Sequence, residues 1–371
     1  MSGPVVESAP ISRRSAIVAV TVVTFVAVVV LFAATEAFVR IRQQAHYGIA
    51  HDIEEIFVQD PATGLRVIRP NLDTGRVHTD SRGFRNPELA VPKPQGVIRL
   101  AFLGASTTFC AEVSGDAATW PDIVARRLAE KMPGVTFDYV NAAVPGYGVE
   151  DARKMLAARV AALAPDIVVY YEATNELSGD TRALARERGV SLDPPESSSW
   201  VLRHSLLAYL VDKTVTSYVR RSRVLGGEGR LDYDPEPLAA NFERNLVALV
   251  ETAQSTAPIV ALATFSQRLR PDQSEDERRK AAITAAFYMP YMSADGIVAG
   301  FAAYNRAIVR AASKTGALLI GGEDSIPADE RHFVDSVHFT DLGSARMADR
   351  VVDALAASAK LKALVQSRAG K

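Results

Sequence analysis

The sequence predicts a doubly wound α/β domain on a five-stranded parallel sheet, carried by one N-terminal transmembrane helix. Three observations predict it. Strand-like apolar runs alternate with helix-like runs from Val97 onward. The third such run, DIVVYYEATN, is apolar nearly throughout, as expected of a parallel strand covered on both faces. The first 42 residues hold a long uncharged stretch. Five parallel strands wrapped on both sides by helices make a flavodoxin-like sandwich.

The N-terminus comes first. Between Arg14 and Glu36 no residue is charged, and most are Val, Ala, Ile, Leu or Phe. That is roughly 20 residues, the length a helix needs to cross a hydrocarbon core of about 30 Å. A cleaved signal peptide competes with this reading, but its apolar region is shorter, roughly 7–15 residues, and ends in a small-residue cleavage site. Ala33-Ala34-Thr35-Glu36-Ala37 is a poor site of that kind, so an uncleaved anchor is expected. Arg13 and Arg14 on one flank balance Arg40 and Arg42 on the other, and charge alone does not orient the helix.

The chain divides into an N-terminal tail and anchor over 1–42, a juxtamembrane segment over 43–95, and a main domain over 96–371. Turn residues break the juxtamembrane segment every few positions, which predicts short strands and loops. In the main domain VIRLAFLGAS predicts a buried strand ending in a Gly–Ser turn. WPDIVARRLAEKM predicts a helix with Pro121 in its first turn. VTFDYVNAA, then DIVVYYEATN, predict the second and third strands, with VEDARKMLAARVAALA as the helix between them. After Asn175 the alternation pauses, and 177–235 reads as an insertion holding a Pro194–Pro195 loop, a helix-like WVLRHSLLAYLVDKTVTSYVRR and a glycine-rich turn at 226–229. It resumes with a helix over 237–255, the strand PIVALATF, a charged-then-apolar stretch over 274–291, a helix over 298–315, the strand ALLIG and a last helix over 342–357.

Composition excludes several functions. The 371 residues carry a formal net charge of −1, so there is no electrostatic footprint for nucleic acid. The single cysteine, Cys110, allows neither an intramolecular disulfide nor a cysteine-based zinc site.

Chemistry-bearing residues recur where the predicted strands end, which is where open α/β sheets bind ligands. Ser106 follows the first strand in Gly104-Ala105-Ser106, on a turn into a helix, where a nucleophile has backbone N–H groups nearby. As an isolated residue it would read as a helix N-cap. Asp335-Ser336-Val337-His338 precedes the last helix. A serine hydroxyl needs an adjacent base, and an imidazole held by a carboxylate is such a base. A metal reading of His332, Asp335 and His338 lacks a HExxH-type helix. Gly146 closes Asn141-Ala-Ala-Val-Pro-Gly after strand two, and Asn175 closes strand three. A glycine N–H and an asparagine amide can both donate to a developing oxyanion, though singly each is an ordinary turn residue.

Together these blocks resemble the SGNH/GDSL serine hydrolases, over roughly residues 97–357. The Ser, Gly, Asn and His of that family match Ser106, Gly146, Asn175 and His338, with Asp335 completing a triad. Two blocks depart from the family pattern: Ala105 replaces the Asp of Gly-Asp-Ser, and Ala173-Thr174-Asn175-Glu176 replaces Gly-x-Asn-Asp. The run His78-Thr-Asp-Ser-Arg-Gly-Phe-Arg85, followed by GASTTF and NAAVPGYG, resembles a membrane-anchored bacterial branch. The resemblance implies an ester hydrolase acting through an acyl-enzyme at Ser106, with Ser106, Gly146 and Asn175 as oxyanion hole. It implies no metal or organic cofactor. The expected substrate is an acylated cell-envelope glycan or a small ester. The domain is expected on the outer side of the cytoplasmic membrane, held by the single N-terminal helix. An O-acyltransferase with the same triad, and a non-catalytic scaffold in polysaccharide assembly, are the rival readings.

Four further expectations concern neighbours of these blocks. Cys110 is read as a buried small side chain. Arg82 and Arg85 are read as solvated loop residues, and Trp200 and Tyr209 as packing residues. A glycosidase pair at Glu172 and Glu176 is set aside in favour of the serine chemistry.

Overall fold

A computed structural model describes residues 12–47, 56–190, 199–225 and 231–369. Helix α1 runs without a break over Arg13–Tyr47 and is long and apolar enough to cross a membrane. It passes the expected boundary at residue 42. Residues 57–68 form an antiparallel hairpin from β1 (Phe57–Gln59) and β2 (Arg66–Ile68), followed by loops.

The main sheet begins with β3 (Val97–Gly104), which leads into the one-turn helix α2 (Ser106–Phe109). α3 (Trp120–Lys131) starts at the Thr119 cap, with Pro121 in its first turn. β4 (Thr136–Asn141) and α4 (Val149–Met155) follow. The expected single helix from Val149 to Ala164 is α-helical only to Met155. It widens to a π-turn over Leu156–Val160 and ends in a 3₁₀ turn.

β5 (Ile167–Tyr171) is buried at every position. The alternation does not pause after it: α5 (Thr174–Glu187) starts at once. Its residues are mostly polar on the outer face, which hid the helix in a stretch read as insertion. α6 (Trp200–His204) and α7 (Leu206–Leu225) come next. The Pro194–Pro195 loop and the 226–229 turn lie outside the described residues. The chain continues through α8 (Glu236–Gln254), β6 (Ile259–Ala263), α9 (Glu275–Ala281) and α10 (Ile283–Tyr288). It closes with α11 (Ala294–Thr315), β7 (Leu318–Ile320), α12 (Asp341–Ala357) and a further helix, α13 (Ala359–Arg368).

The strands pair in parallel in the order β4-β3-β5-β6-β7. This is the doubly wound order, and the chain reverses direction across the sheet between β3 and β5. Side chains at the carboxyl ends of β3, β4 and β5 therefore converge on one crevice. Aromatic rings fill the layer beneath it. Tyr171 stacks on Phe265 and Phe339, and Trp120, fully buried, meets Tyr171 and Phe102 edge-on.

Candidate active site

The site starts where β3 ends. Gly104 has φ 154°, and a Cβ there would stand 2.3 Å from the Tyr171 carbonyl oxygen. Only glycine permits so close a passage of the two strand ends. The chain then turns into α2, whose cap position is Ala105 and carries no side-chain capping bond. Ser106 does not cap. Its Oγ lies 2.8 Å from His338 Nε2.

His338 sits on a tight loop between Phe333 and Phe339, closed by the bond from Val334 N–H to the His338 carbonyl. Asp335 organises that loop. Its Oδ1 accepts from the backbone N–H groups of Val337 and His338 (both 2.9 Å), and its Oδ2 lies 2.8 Å from His338 Nδ1. The Thr284 hydroxyl donates to the same Oδ2 at 2.6 Å. Ser336, between them, accepts from the N–H groups of Thr284 and Ala285 and so ties the loop to α10. Serine, imidazole and carboxylate thus stand in one hydrogen-bonded series.

Electrostatics polarise this series. Burial opposes charge on His338, but the Glu112 and Asp335 carboxylates outweigh it and raise the imidazole pKa to about 9. Burial also works against the Asp335 carboxylate. His338 and the Thr284 and Val337 donors nevertheless hold its pKa well below the usual range. Glu112 is a residue the sequence reading did not single out. Its Oε1 lies 4.0 Å from His338 Nε2, and its buried Oε2 has no hydrogen-bond partner among the described residues. Burial raises its pKa. Nothing in its local sequence, Cys-Ala-Glu-Val, marks it as facing a histidine over 200 positions away.

Gly146 and Asn175 lie beyond the carboxyl ends of β4 and β5. Gly146 has φ 88° and is exposed. The carbonyl of Pro145 accepts from Arg66 at 2.7 Å, and the Tyr147 hydroxyl donates to the Arg66 carbonyl at 2.5 Å. The hairpin β1–β2 therefore holds the Gly146 turn. Asn175 Nδ2 donates to the Tyr147 carbonyl at 3.0 Å. An amide nitrogen has two hydrogens, so one N–H remains after that bond is made. The backbone N–H groups of Ser106 and Gly146 make no hydrogen bond among the described residues.

The remaining candidates fall as follows. Cys110 is buried, in the left-handed conformation that ends α2, and burial pushes its thiol up to about 12. His332 pairs with Asp329 at 2.7 Å, away from Asp335 and His338. Among the described residues no group of three or more His, Cys, Asp or Glu side chains could hold a metal ion. Glu172 and Glu176 spend an oxygen each on backbone N–H groups, of Asn175 and Val149. Arg85 departs from expectation. It is fully buried, donating to the carbonyls of Phe109, Cys110 and Arg76 and to Asp116. It clamps the chain just beyond α2, and its long-range partners are why the sequence did not show it. Arg82 pairs with Glu88. Trp200 and Tyr209 also depart from expectation, being 67% and 40% exposed.

A serine, an imidazole and a carboxylate in series at the strand ends of a doubly wound sheet define a class, the α/β serine hydrolases. Within it, the chain belongs to the GDSL-like lipase/acylhydrolase family, whose model matches residues 102–346. It is a serine hydrolase acting on ester bonds. Among solved structures it is similar to LAE5, an alpha/beta hydrolase enzyme from the metagenome of Lake Arreo, Spain. Identity is 16%, coverage 69% of this chain and 94% of that one, and the TM-score 0.42. It is similar to Axe2, an acetylxylan esterase from Geobacillus stearothermophilus, at 16% identity, 69% and 93% coverage, and a TM-score of 0.41. It is also similar to TesA, at 15% identity, 69% and 97% coverage, and a TM-score of 0.41. Compared with the curated proteins, the chain finds no match.

Proposed function

We propose that the protein is a membrane-anchored esterase that forms an acyl-enzyme at Ser106. The observation that carries this is the unbroken series Ser106 Oγ, His338 Nε2, His338 Nδ1, Asp335 Oδ2, with both contacts at 2.8 Å. Ser106 attacks the ester carbonyl while His338 takes its proton, and Asp335 holds the imidazole in the right tautomer. The N–H groups of Ser106 and Gly146 and the free N–H of Asn175 bind the oxyanion. His338 then protonates the departing alkoxide, and a water activated by the same imidazole releases the acid.

The substrate is an acylated cell-envelope glycan or a small ester. The chain divides into anchor, juxtamembrane segment and hydrolase domain at about the boundaries drawn above. It is held in the cytoplasmic membrane by α1, with the domain on the outer side. Support for an uncleaved helix comes from Glu36, the residue inside the candidate cleavage site: its carboxylate accepts from Leu206 N–H, Leu207 N–H and the Ser205 hydroxyl. Cleavage after Glu36 would strip α7 of this cap.

Turnover of p-nitrophenyl acetate by Ser106→Ala, His338→Ala and the double variant tests the assignment. Each single variant is expected near background. The double variant should be barely worse, because triad members act as a unit. Additive losses would show that the two residues do not share one step.

A further inference from the structure

We infer that α6 and α7 form a membrane-seated element, lying at the headgroup–acyl boundary of the bilayer that α1 crosses. The inference rests on the anchor reading of α1 and adds a second, separate contact with lipid.

Position comes first. From residue 12 to 34 every side chain of α1 is exposed. Thr35, Glu36, Val39, Arg40 and Gln43 are then half-buried, one helix face at three- and four-residue spacing. That face meets the turn between α6 and α7. Glu36 accepts from the first N–H groups of α7 at 2.9 and 2.8 Å, and Arg40 donates to Glu36 and to the His204 carbonyl. At 1.5 Å per residue, the stretch from Arg14 to Glu36 covers about 33 Å, the thickness of a hydrocarbon core. The clamp is therefore at the edge of the bilayer, on the side where the hydrolase domain lies.

Surface chemistry comes second. Among the described residues, thirteen large apolar side chains are exposed outside α1, and seven of them fall on α6 and α7. Single exposed apolar residues are ordinary, but a cluster is not. On α7, Val211, Val215, Tyr218 and Val219 (55%, 57%, 63% and 40% exposed) repeat at i, i+4, i+7 and i+8, which makes one stripe. Trp200 is 67% exposed. Valines, a tyrosine and a tryptophan beside a spanning helix match the composition of an interfacial helix. Charge agrees with it. α7 carries Lys213, Arg221 and Arg223 against Asp212 alone, with Arg220 turned inward to the Phe287 carbonyl. Lys213 and Arg221 lie over the rings of Tyr209 and Tyr218, each 5.8 Å from the centroid, so cation and ring end at the same level. Such pairs set an apolar body in the acyl region and a charge among phosphates.

The chain has two tryptophans, and the other, Trp120, is fully buried. The test compares the full-length protein with its Trp200→Phe variant, both reconstituted in phosphatidylcholine–phosphatidylglycerol vesicles. The difference between the two emission spectra is the Trp200 signal. Lipid brominated near the top of the acyl chain is expected to quench that signal and to leave the remainder unchanged. If the protein floats with the vesicles and Trp200 stays unquenched by brominated lipid yet open to aqueous iodide, the inference is overturned and the anchor stands. If the protein does not float, the anchor reading fails and this inference falls with it.

Discussion

Serine is a favoured helix N-cap, and Ser106 stands where a helix begins, yet its hydroxyl goes to His338 and not to the backbone. Tertiary placement overrides the local role because the cap falls to Ala105, which has no polar side chain to use. The base it meets is tuned by two carboxylates. Asp335 is in line behind the imidazole, and Glu112 is to its side. A neutral His338 is needed to take the serine proton, so kcat/KM of the free enzyme is expected to rise with pH through about 9. Replacing Glu112 by Gln removes one charge that favours imidazolium. The acid limb should then move to lower pH by roughly one unit. Stability runs the other way. The raised His338 pKa contributes stability that is complete below 6.5 and lost as pH rises through about 9. The wild-type Tm should therefore fall more steeply over that window than that of Glu112→Gln. Identical pH–rate profiles for the two proteins would remove Glu112 from the site's electrostatics.

At the scale of elements, loops from four places must be held still around one crevice. Asn175 is fixed by the carbonyl of Tyr147, next to Gly146, so two proposed oxyanion donors are coupled by one hydrogen bond. Asn175→Ala is expected to lower kcat roughly 10²–10³-fold with little change in KM. A raised KM at constant kcat would make it a ground-state binding residue instead. Behind Ser106, Arg85 holds the end of α2 from the juxtamembrane segment. It satisfies three carbonyls and Asp116 with a side chain that has no exposure of its own. Arg85→Ala leaves the three carbonyls without this donor, while Asp116 keeps His78, and a loss of roughly 3–5 kcal/mol is expected from urea unfolding. Arg85→Lys should recover only part of it, because an ammonium cannot reproduce the guanidinium fork. A loss under about 1 kcal/mol would place the clamp elsewhere.

For the whole molecule, α1 and the α6–α7 turn are joined through Glu36, so the apolar helix proposed as the anchor is bonded to the rest of the chain. The mature protein is expected to retain residues 1–40 and to fractionate with membranes. Protease added to intact spheroplasts should cut the domain, with the Pro- and Ser-containing stretch 193–199 as a target. N-terminal sequencing that starts at Glu36 or Ala37 would show a cleaved signal. Protection until lysis would place the domain in the cytoplasm.

The sequence by itself determined which segments are strands and helices wherever apolar residues recur with a clear period. DIVVYYEATN is the plainest case, because burial on both faces demands an unbroken apolar sequence. It also displayed Ser106, Gly146, Asn175, Asp335 and His338 as candidates, because each follows a strand or precedes a helix at the sheet's carboxyl edge. The polar helix α5 escaped it, since only Leu177, Thr181 and Ala185 are buried and one of those three is itself polar. Only the tertiary structure decided the rest. Which arginine is buried and which glutamate faces the imidazole depend on distant segments: Arg85 meets the Phe109 carbonyl 24 positions on, and Glu112 faces His338 more than 200 positions away. Side chains of one type look alike in sequence. Arg82 meets solvent and Glu88 while Arg85, three residues on, is sealed inside, and the difference lies wholly in which chain segments fold back to meet them.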